Sequence, residues 1–300
     1  LIDTLEMLFG KHAGFRRVHA KGVLCEGMFN ATAAAAALSR AAHFAGGIIP
    51  VTVRFSDFTG IPTIPDGDPN ASPRGMAIRF HLPHNAATDI VAHSYDGFPV
   101  GTAEEFLEFL RALAPAASAT AGQPSPLEAF LRGRPQALQF VQTPKPAPVS
   151  FATEAYYGVN AFRFTNAEGT MRHGRYRILP AAGQEHLGDE EAASRPPNFL
   201  FDELSGRFRG GPVRFSVAAQ LAGPRDPVTN ASLSWPEDRE VFELGTLTLS
   251  GRMEDSDAKE RSLIFDPTRL VDGIEDSGDP LIQARARIYS IAYERRNAPR

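Results

Sequence analysis

The chain has 300 residues, a formal net charge of −4 at pH 7 and a hydrophobic share of 43%, which is normal for a folded protein with a sizeable core. No block of like charge stands out, which argues against nucleic acid or an acidic membrane surface as the main partner. The single cysteine, Cys25, excludes an intrachain disulfide and a cysteine-based zinc or iron–sulfur site, so we expect it to be a small buried hydrophobe.

The first predicted strand, residues 15–29, carries a histidine among basic residues. His19 follows Arg16 and Arg17 and precedes Lys21. A lone histidine is most often a structural or surface residue, but it is also the commonest acid–base group near neutral pH. This stretch alone therefore leaves the role of His19 open.

The longest apolar run, residues 31–49, is rich in alanine and is interrupted by Arg40 and His43. It is too short and too polar to span a bilayer. No signal peptide is visible, and the chain starts at Leu1 without a methionine, so the compartment, cytoplasm or periplasm, stays open.

Several segments alternate between apolar and polar residues and are bounded by Gly, Pro, Asn or Asp, a pattern typical of β-strands. They are residues 50–56, 74–82, 160–166, 211–222 and 242–251. Helical patterns at 102–114 and 125–133 separate them. This order favours an antiparallel sheet or barrel with inserted helices over a parallel sheet of βαβ units.

One predicted strand carries charge on a face that could be buried. In "VTVRFS" (51–56), alternation puts the apolar residues on one face and Thr52, Arg54 and Ser56 on the other. An exposed polar face would explain the pattern. A charged residue on a buried face needs a partner, and an anionic ligand is one candidate.

The segment 112–150 is rich in Ala and Pro and is typical of a surface excursion around one short helix. Residues 279–296 have helical spacing, with Asp279 and Pro280 at the expected start, so the architecture is a barrel with one closing helix.

On that last helix, Arg285 and Tyr289 lie four residues apart and share one face. A surface pair is the ordinary explanation of such spacing. A guanidinium beside a phenol oxygen also favours the phenolate, which is a hard anionic ligand for ferric iron and one of the few proximal haem ligands.

Taken together, these motifs resemble the haem catalase family, above all its small branch, the catalase-related peroxidases. They are "RVHAKG", "VRFS", "GMAIRFH", "DIVAHS" and "FDPTRLVDGIEDSGDPLIQARARIY", in the family's order and from about residue 15 to the C-terminus. The resemblance implies a catalase-type antiparallel β-barrel of the α+β class with a C-terminal haem-binding helix. It also implies a single haem domain over 1–300, with a barrel core at about 15–251 and a proximal helix at about 279–296.

The resemblance gives the basic stretch at residues 15–29 a function. His19 matches the distal histidine, whose expected role is to move a proton from one peroxide oxygen to the other, and Ser56 matches the serine that orients it. The arginines that match the partners of the haem propionates are Arg16, Arg54 and Arg296. Because strict alternation does not put Arg16 and His19 on one face, that strand needs a local distortion.

On the other side of the haem, the resemblance makes Tyr289 the iron ligand and Arg285 its charge partner. Four apolar positions match the lining of the haem pocket, although each could equally be ordinary core: Val18, Phe98, Phe106 and Phe265. Because the chain has no C-x-x-C-H motif, the expected cofactor is non-covalent haem b.

The chain departs from the large catalases in two respects. His93 stands where they carry a distal asparagine that helps to position hydrogen peroxide, and it could become charged near a pKa of about 6.5. The chain also ends soon after the proximal helix, so we expect no wrapping domain, no nicotinamide nucleotide site and a haem more open to bulky reductants.

The leading hypothesis is a haem peroxidase that uses hydrogen peroxide or an organic peroxide and a small organic reductant, with weak catalase activity. The alternatives are a true catalase, a hydroperoxide rearrangement of the allene oxide synthase type, and haem storage, for which His19 and Ser56 would be unnecessary. No nucleic acid or membrane partner is expected, and analogy suggests a homodimer.

Overall fold

The computed structural model describes residues 1–114 and 123–298. Its strands are β1 (Gly22–Ala31), β2 (Ile48–Ser56), β3 (Gly75–His81), β4 (Ala87–His93), β5 (Tyr156–Tyr157), β6 (Phe162–Thr165), β7 (Met171–Pro180), β8 (Val213–Leu221), β9 (Val241–Arg252) and β10 (Ile274–Asp276). Eight of them close into an antiparallel barrel in the order β1–β2–β3–β4–β5–β7–β8–β9, with β9 pairing back to β1. β6 pairs with β7 beyond β5 and carries β10 on its outer edge. The predicted α+β barrel class is confirmed.

Helices precede, connect and follow these strands. They are α1 (Ile2–Phe9), α2 (Ala35–Leu38), α3 (Ala103–Leu113), α4 (Pro126–Leu131), α5 (Pro135–Gln142), α6 (Asp189–Ser194), α7 (Phe199–Gly210), α8 (Ser256–Ser262) and α9 (Pro280–Asn297). The closing helix α9 begins where the sequence predicts, because the Asp279 carboxylate accepts a hydrogen bond from the N–H of Leu281 at 2.9 Å. Among the described residues, none of the helices is long and apolar enough to cross a membrane.

The barrel interior is an apolar core rich in aromatic rings. Phe55 on β2 stacks on Phe151 with ring centroids 5.3 Å apart, and both side chains are fully buried. The opposite face of β2 carries Arg54 and Ser56, which are also buried. The predicted alternation is therefore confirmed, and the alternative of an exposed polar face is wrong.

The predicted strand at residues 15–29 is only partly right. It begins at Gly22, because residues 15–21 form turns in which His19 has the left-handed φ of 56°. The N–H of His19 donates to the carbonyl of Phe58 at 2.7 Å instead of to a neighbouring strand. This is the local distortion that the resemblance requires.

Other elements lie outside the sequence predictions. The strand β7 carries two buried arginines, Arg175 and Arg177, which interrupt the alternation of apolar and polar residues that predicts a strand. Backbone carbonyls accept hydrogen bonds from Arg175, and the side chain of Gln220 accepts one from Arg177. The segment 112–150 contains a second helix, α5, whose buried Ala137 belongs to an apolar cluster with Phe109 and Phe130. Residues 115–122 of this segment lie outside the described part of the chain.

Candidate active site

A cavity that opens to solvent lies between the outer face of β2–β4 and helix α9; together with the open space at its mouth it measures about 850 Å³. The sequence-predicted residues that line it are Arg16, Val18, His19, Arg54, Ser56, Phe265, Tyr289 and Arg296. Four predicted residues are not in its lining. Arg285 contacts Tyr289, Phe106 packs with Val18, and His93 pairs with Gly75, each of which is a lining residue. Phe98 lies one layer further away, against His93 and Phe106.

His19 is held on the barrel side of the cavity by contacts on two sides. Its Nδ1 lies 3.1 Å from the Ser56 hydroxyl, and its backbone carbonyl accepts a hydrogen bond from Arg54 at 2.9 Å. The ring of Phe58 packs against the imidazole edge to face, with centroids 5.5 Å apart. Because Nδ1 is already used, Nε2 is the nitrogen available to a molecule in the cavity.

Gly75 is the point at which the barrel-side residues meet. In the strand pairing it lies opposite Ser56 on β2 and opposite His93 on β4. A Cβ at this position would lie 2.5 Å from the Ser56 hydroxyl and 2.7 Å from Nδ1 of His19. Only glycine therefore leaves room for the imidazole, and the sequence offers no signal for this role beyond the position of Gly75 at the start of a strand.

His93 lies at the end of β4, near His19. Its Nδ1 accepts a long hydrogen bond from the N–H of Tyr95 at 3.3 Å, and its buried Nε2 has no partner among the described residues. Its ring packs near Phe98, with centroids 6.4 Å apart.

Both histidines are neutral over the ordinary working range of pH. Burial, with the neighbouring Arg54 and His93, lowers the pKa of His19 to about 3. Burial, with Arg285 and Lys145, lowers the pKa of His93 to about 3. The expectation that His93 becomes charged near a pKa of 6.5 is therefore wrong, because the site keeps water and counter-charges away from the ring.

On the helix side, Arg285 donates two hydrogen bonds to the Tyr289 phenol oxygen, at 2.7 and 3.1 Å. Its remaining nitrogen donates to the side-chain oxygen of Asn160 at 2.7 Å, and Asn160 in turn donates to the Asp279 carboxylate at 2.8 Å. Asn160 and Asp279 are buried, so the pair is fixed to the barrel and to the start of α9. The alternative of a surface pair is wrong.

Three arginines, Arg16, Arg54 and Arg296, stand together at one edge of the cavity. Arg54 and Arg296 are buried, and the Nε of Arg296 has no hydrogen-bond partner among the described residues. Glu260 bridges Arg16 and Arg54, a contact that sequence reasoning missed because more than 200 residues separate the partners. Arg17 has another role, since it is paired with Glu6 at 2.5 Å.

The predicted apolar residues form one side of the cavity and the layer behind it. Phe98 and Phe106 pack with ring centroids 5.2 Å apart, and Phe106 shares a cluster with Val18 and Ile288. Phe265 lies in the lining itself.

These residues fit a haem group. A flat apolar ring with two carboxylates requires apolar walls, cationic groups at one edge and, on its two faces, a ligand and an acid–base group. The cavity supplies the Arg285-bound oxygen of Tyr289, the imidazole of His19 and the three edge arginines. One of these, Arg296, has a buried nitrogen without a partner in the part of the chain that the structure describes.

Comparison with known proteins agrees with this fit. The family model described as Catalase matches residues 1–300. A catalase-related peroxidase of Mycolicibacterium paratuberculosis is 36% identical over 298 residues, which cover 98% of this chain and 93% of that protein. One from Synechococcus elongatus is 35% identical over 301 residues, covering 99% of this chain and 87% of that protein.

Solved structures agree on the fold. Catalase A from Saccharomyces cerevisiae has a TM-score of 0.84 at 22% identity, and the match covers 99% of this chain but 64% of that chain. A fungal catalase gives the same TM-score and identity, covering 99% of this chain and 62% of the other.

Proposed function

Since the chain belongs to the catalase family, we propose that it is a peroxidase with non-covalent haem b that reduces hydrogen peroxide or organic peroxides with a small organic donor and has weak catalase activity. The peroxide-directed oxidoreductase chemistry and the haem cofactor follow from the family. The donor, the haem type and the balance of activities are the finer part of the proposal. Residues 1–300 would form one haem domain.

The observation that carries the proposal is the placement of His19 and Tyr289 in one cavity, each with its own orienting partner. A haem held there by Tyr289 and the edge arginines would supply the iron at which the peroxide O–O bond breaks and the oxidising equivalents that the donor consumes. A haem storage protein would have no use for an oriented, neutral imidazole beside the group.

The residues on the barrel side move and direct the proton. Neutral His19 can accept a proton at Nε2 from one peroxide oxygen and return it to the other, so that the departing oxygen leaves as water. Ser56, bound at Nδ1, keeps Nε2 facing the cavity throughout. His93 can donate a hydrogen bond from Nε2 but, being neutral, adds no charge to the site.

On the helix side, Arg285 donates two hydrogen bonds to the Tyr289 oxygen and so would hold it in place as the ligand of a bound haem. An anionic oxygen ligand stabilises oxidised iron, which suits peroxide activation. The chain to Asn160 and Asp279 keeps the guanidinium in place.

The test is to purify the protein with haem, record its absorption spectrum, and measure oxygen release and dye oxidation at the same peroxide concentration. We expect the spectrum of a ferric haem with a phenolate ligand, fast dye oxidation and slow oxygen release. Oxygen release that exceeds dye oxidation would instead identify a true catalase. A haem-free protein with no peroxide turnover after reconstitution would contradict the proposal.

A further inference from the structure

Glu260, on α8, lies among the three edge arginines. Its carboxylate accepts hydrogen bonds from Arg16 at 2.8 Å and from two nitrogens of Arg54 at 2.9 and 3.0 Å. The proposed haem site does not by itself require this contact, because a protein carboxylate at this edge would repel the two carboxylates of a haem.

Glu260 lies behind the arginines as seen from the cavity. Arg16, Arg54 and Arg296 all line the cavity, as does Leu263, but Glu260 does not. A ligand carboxylate can therefore reach the arginines without displacing Glu260.

The segment 260–263 holds all three arginines. Glu260 binds Arg16 and Arg54, while the backbone carbonyl of Leu263 accepts from Arg16 at 2.9 Å and from Arg296 at 3.1 Å. Helix α8 is in turn fixed to the barrel, because the hydroxyl of Ser256 at its start accepts from the N–H of Leu24 on β1 at 2.9 Å.

Charge at this edge is only partly balanced. Burial and the neighbouring Arg54 lower the pKa of Arg16 from its ordinary value and that of Arg296 to about 10, although a guanidinium keeps its proton. Burial acts to raise the pKa of Glu260, but Arg54 and Arg16 lower it below its ordinary value. Three guanidinium charges and one carboxylate thus leave a charge of about +2.

We propose that Glu260 is a positioning residue for the cofactor: it fixes Arg16 and Arg54 at the cavity edge and sets that edge's charge to match the two carboxylates of one porphyrin. This inference rests on the proposed haem site. Without Glu260 the guanidiniums repel one another and turn towards water, so a ligand must order them as it binds. Removing the carboxylate also leaves extra positive charge that attracts the haem carboxylates, and the proposal is that the loss of fixed geometry outweighs this attraction.

The experiment compares Glu260→Gln with wild type and with Asp257→Asn, an exposed acid on the same helix with no ion pair among the described residues. Haem-free protein is titrated with haem and, separately, with haem dimethyl ester, and haem loss to excess apomyoglobin is timed. We expect Glu260→Gln to weaken haem binding about tenfold, the usual effect of losing a charged hydrogen bond, while dimethyl ester binding and the Asp257→Asn variant stay unchanged.

Equal or tighter haem binding by Glu260→Gln would overturn the inference alone, because Glu260 would then be neutral or a competitor. An equal loss for haem and its dimethyl ester would also overturn it, because the role would be structural. Should the Gln variant not fold, Glu260→Asp, which keeps the charge with a shorter reach, must still weaken haem more than the ester. A wild-type chain that binds no haem would overturn the proposed function and this inference with it.

Discussion

Tyr289 and His19 line the same cavity but are held in different ways. Tyr289 is held mainly within one helix, where Arg285 lies a single turn away, and one contact outside the helix, from Arg285 to Asn160, adds to this. His19 depends on separate segments of the chain. They are a turn with left-handed backbone and the ends of three neighbouring strands, which meet at Gly75. We therefore expect substitutions on the helix side to weaken haem binding. Substitutions on the barrel side should slow the reaction while the haem stays bound.

The largest expected effect is on the helix side. Tyr289→Phe removes the cavity-lining oxygen to which Arg285 donates two hydrogen bonds, so haem binding should be lost or severely weakened. Tyr293→Phe, four residues further along α9 and also in the cavity lining, should keep the haem and serves as the control. Haem content per chain and the absorption spectrum measure both. Full occupancy with an unchanged spectrum in Tyr289→Phe would remove Tyr289 as the ligand.

The matching change on the barrel side should separate cofactor from reaction. His19→Ala should keep the haem yet slow peroxide-dependent donor oxidation by about 10²–10⁴-fold, the usual contribution of a positioned general acid–base group. The exposed His84→Ala is the control and should not change the rate. A wild-type rate in His19→Ala, at equal haem content, would make His19 a structural residue.

A substitution at Gly75 tests whether close packing at the point where the three strands meet is needed for the position of His19. Gly75→Ala places a methyl group against the His19 ring and the Ser56 hydroxyl, so the imidazole must shift. We expect a loss of up to about 10²-fold in donor oxidation, as for a misplacement of about 1 Å, with the haem retained. Gly251→Ala in β9, where a Cβ meets nothing within 4 Å, is the control. Equal rates in the two variants would mean that His19 can shift to accommodate the methyl group without losing its function.

The two sides also differ in how far the sequence predicts them. The spacing of Arg285 and Tyr289 follows from helical periodicity, and the helix start follows from an Asp–Pro pair. The turn at residues 15–21 could not be read from the sequence, because a histidine with positive φ has no local signature and the extended pattern suggested a strand. Asn160 and Glu260 contact their partners across more than 100 residues of chain, so only the fold brings them together.

The pH dependence should distinguish catalysis from stability. Because the pKa of His19 is lowered to about 3, the imidazole stays a competent base when pH falls through 6.5, and the rate per folded, haem-loaded chain should stay flat from about pH 5 to 8. Stability should behave in the opposite way. Buried His19, His43 and His93 stay neutral in the fold but take up protons in the unfolded chain, so the free energy of unfolding falls as pH drops from about 6.5 towards 3.

His43 provides the control for that pair of measurements. Both of its ring nitrogens are buried without a partner among the described residues, between Phe44 and Phe80 and away from the cavity. His43→Leu should therefore reduce the acid loss of stability in urea unfolding at pH 5 and 7.5, and should leave the rate profile unchanged. An activity decline centred near pH 6.5 in wild type would show that His19 titrates as an ordinary histidine.

The smallest expected effect concerns His93, which shares the barrel side with His19 but does not line the cavity. Since its pKa is about 3, its difference from an asparagine lies in size and placement, not in charge. The contact of its Nδ1 with the N–H of Tyr95 leaves Nε2 as the hydrogen-bond donor, and the position of Nε2 is fixed by the end of β4.

Oxygen release requires two hydrogen peroxide molecules in sequence, so a misplaced second hydrogen-bond donor should slow oxygen release more than oxidation of the organic reductant. His93→Asn should raise the ratio of oxygen evolved to donor oxidised by about two- to tenfold, the effect of one neutral hydrogen bond, at unchanged haem content. The exposed His84→Asn is the matched control. A ratio that stays at the wild-type value, or a wild type that already releases oxygen faster than it oxidises the donor, would show that His93 does not limit the second peroxide step.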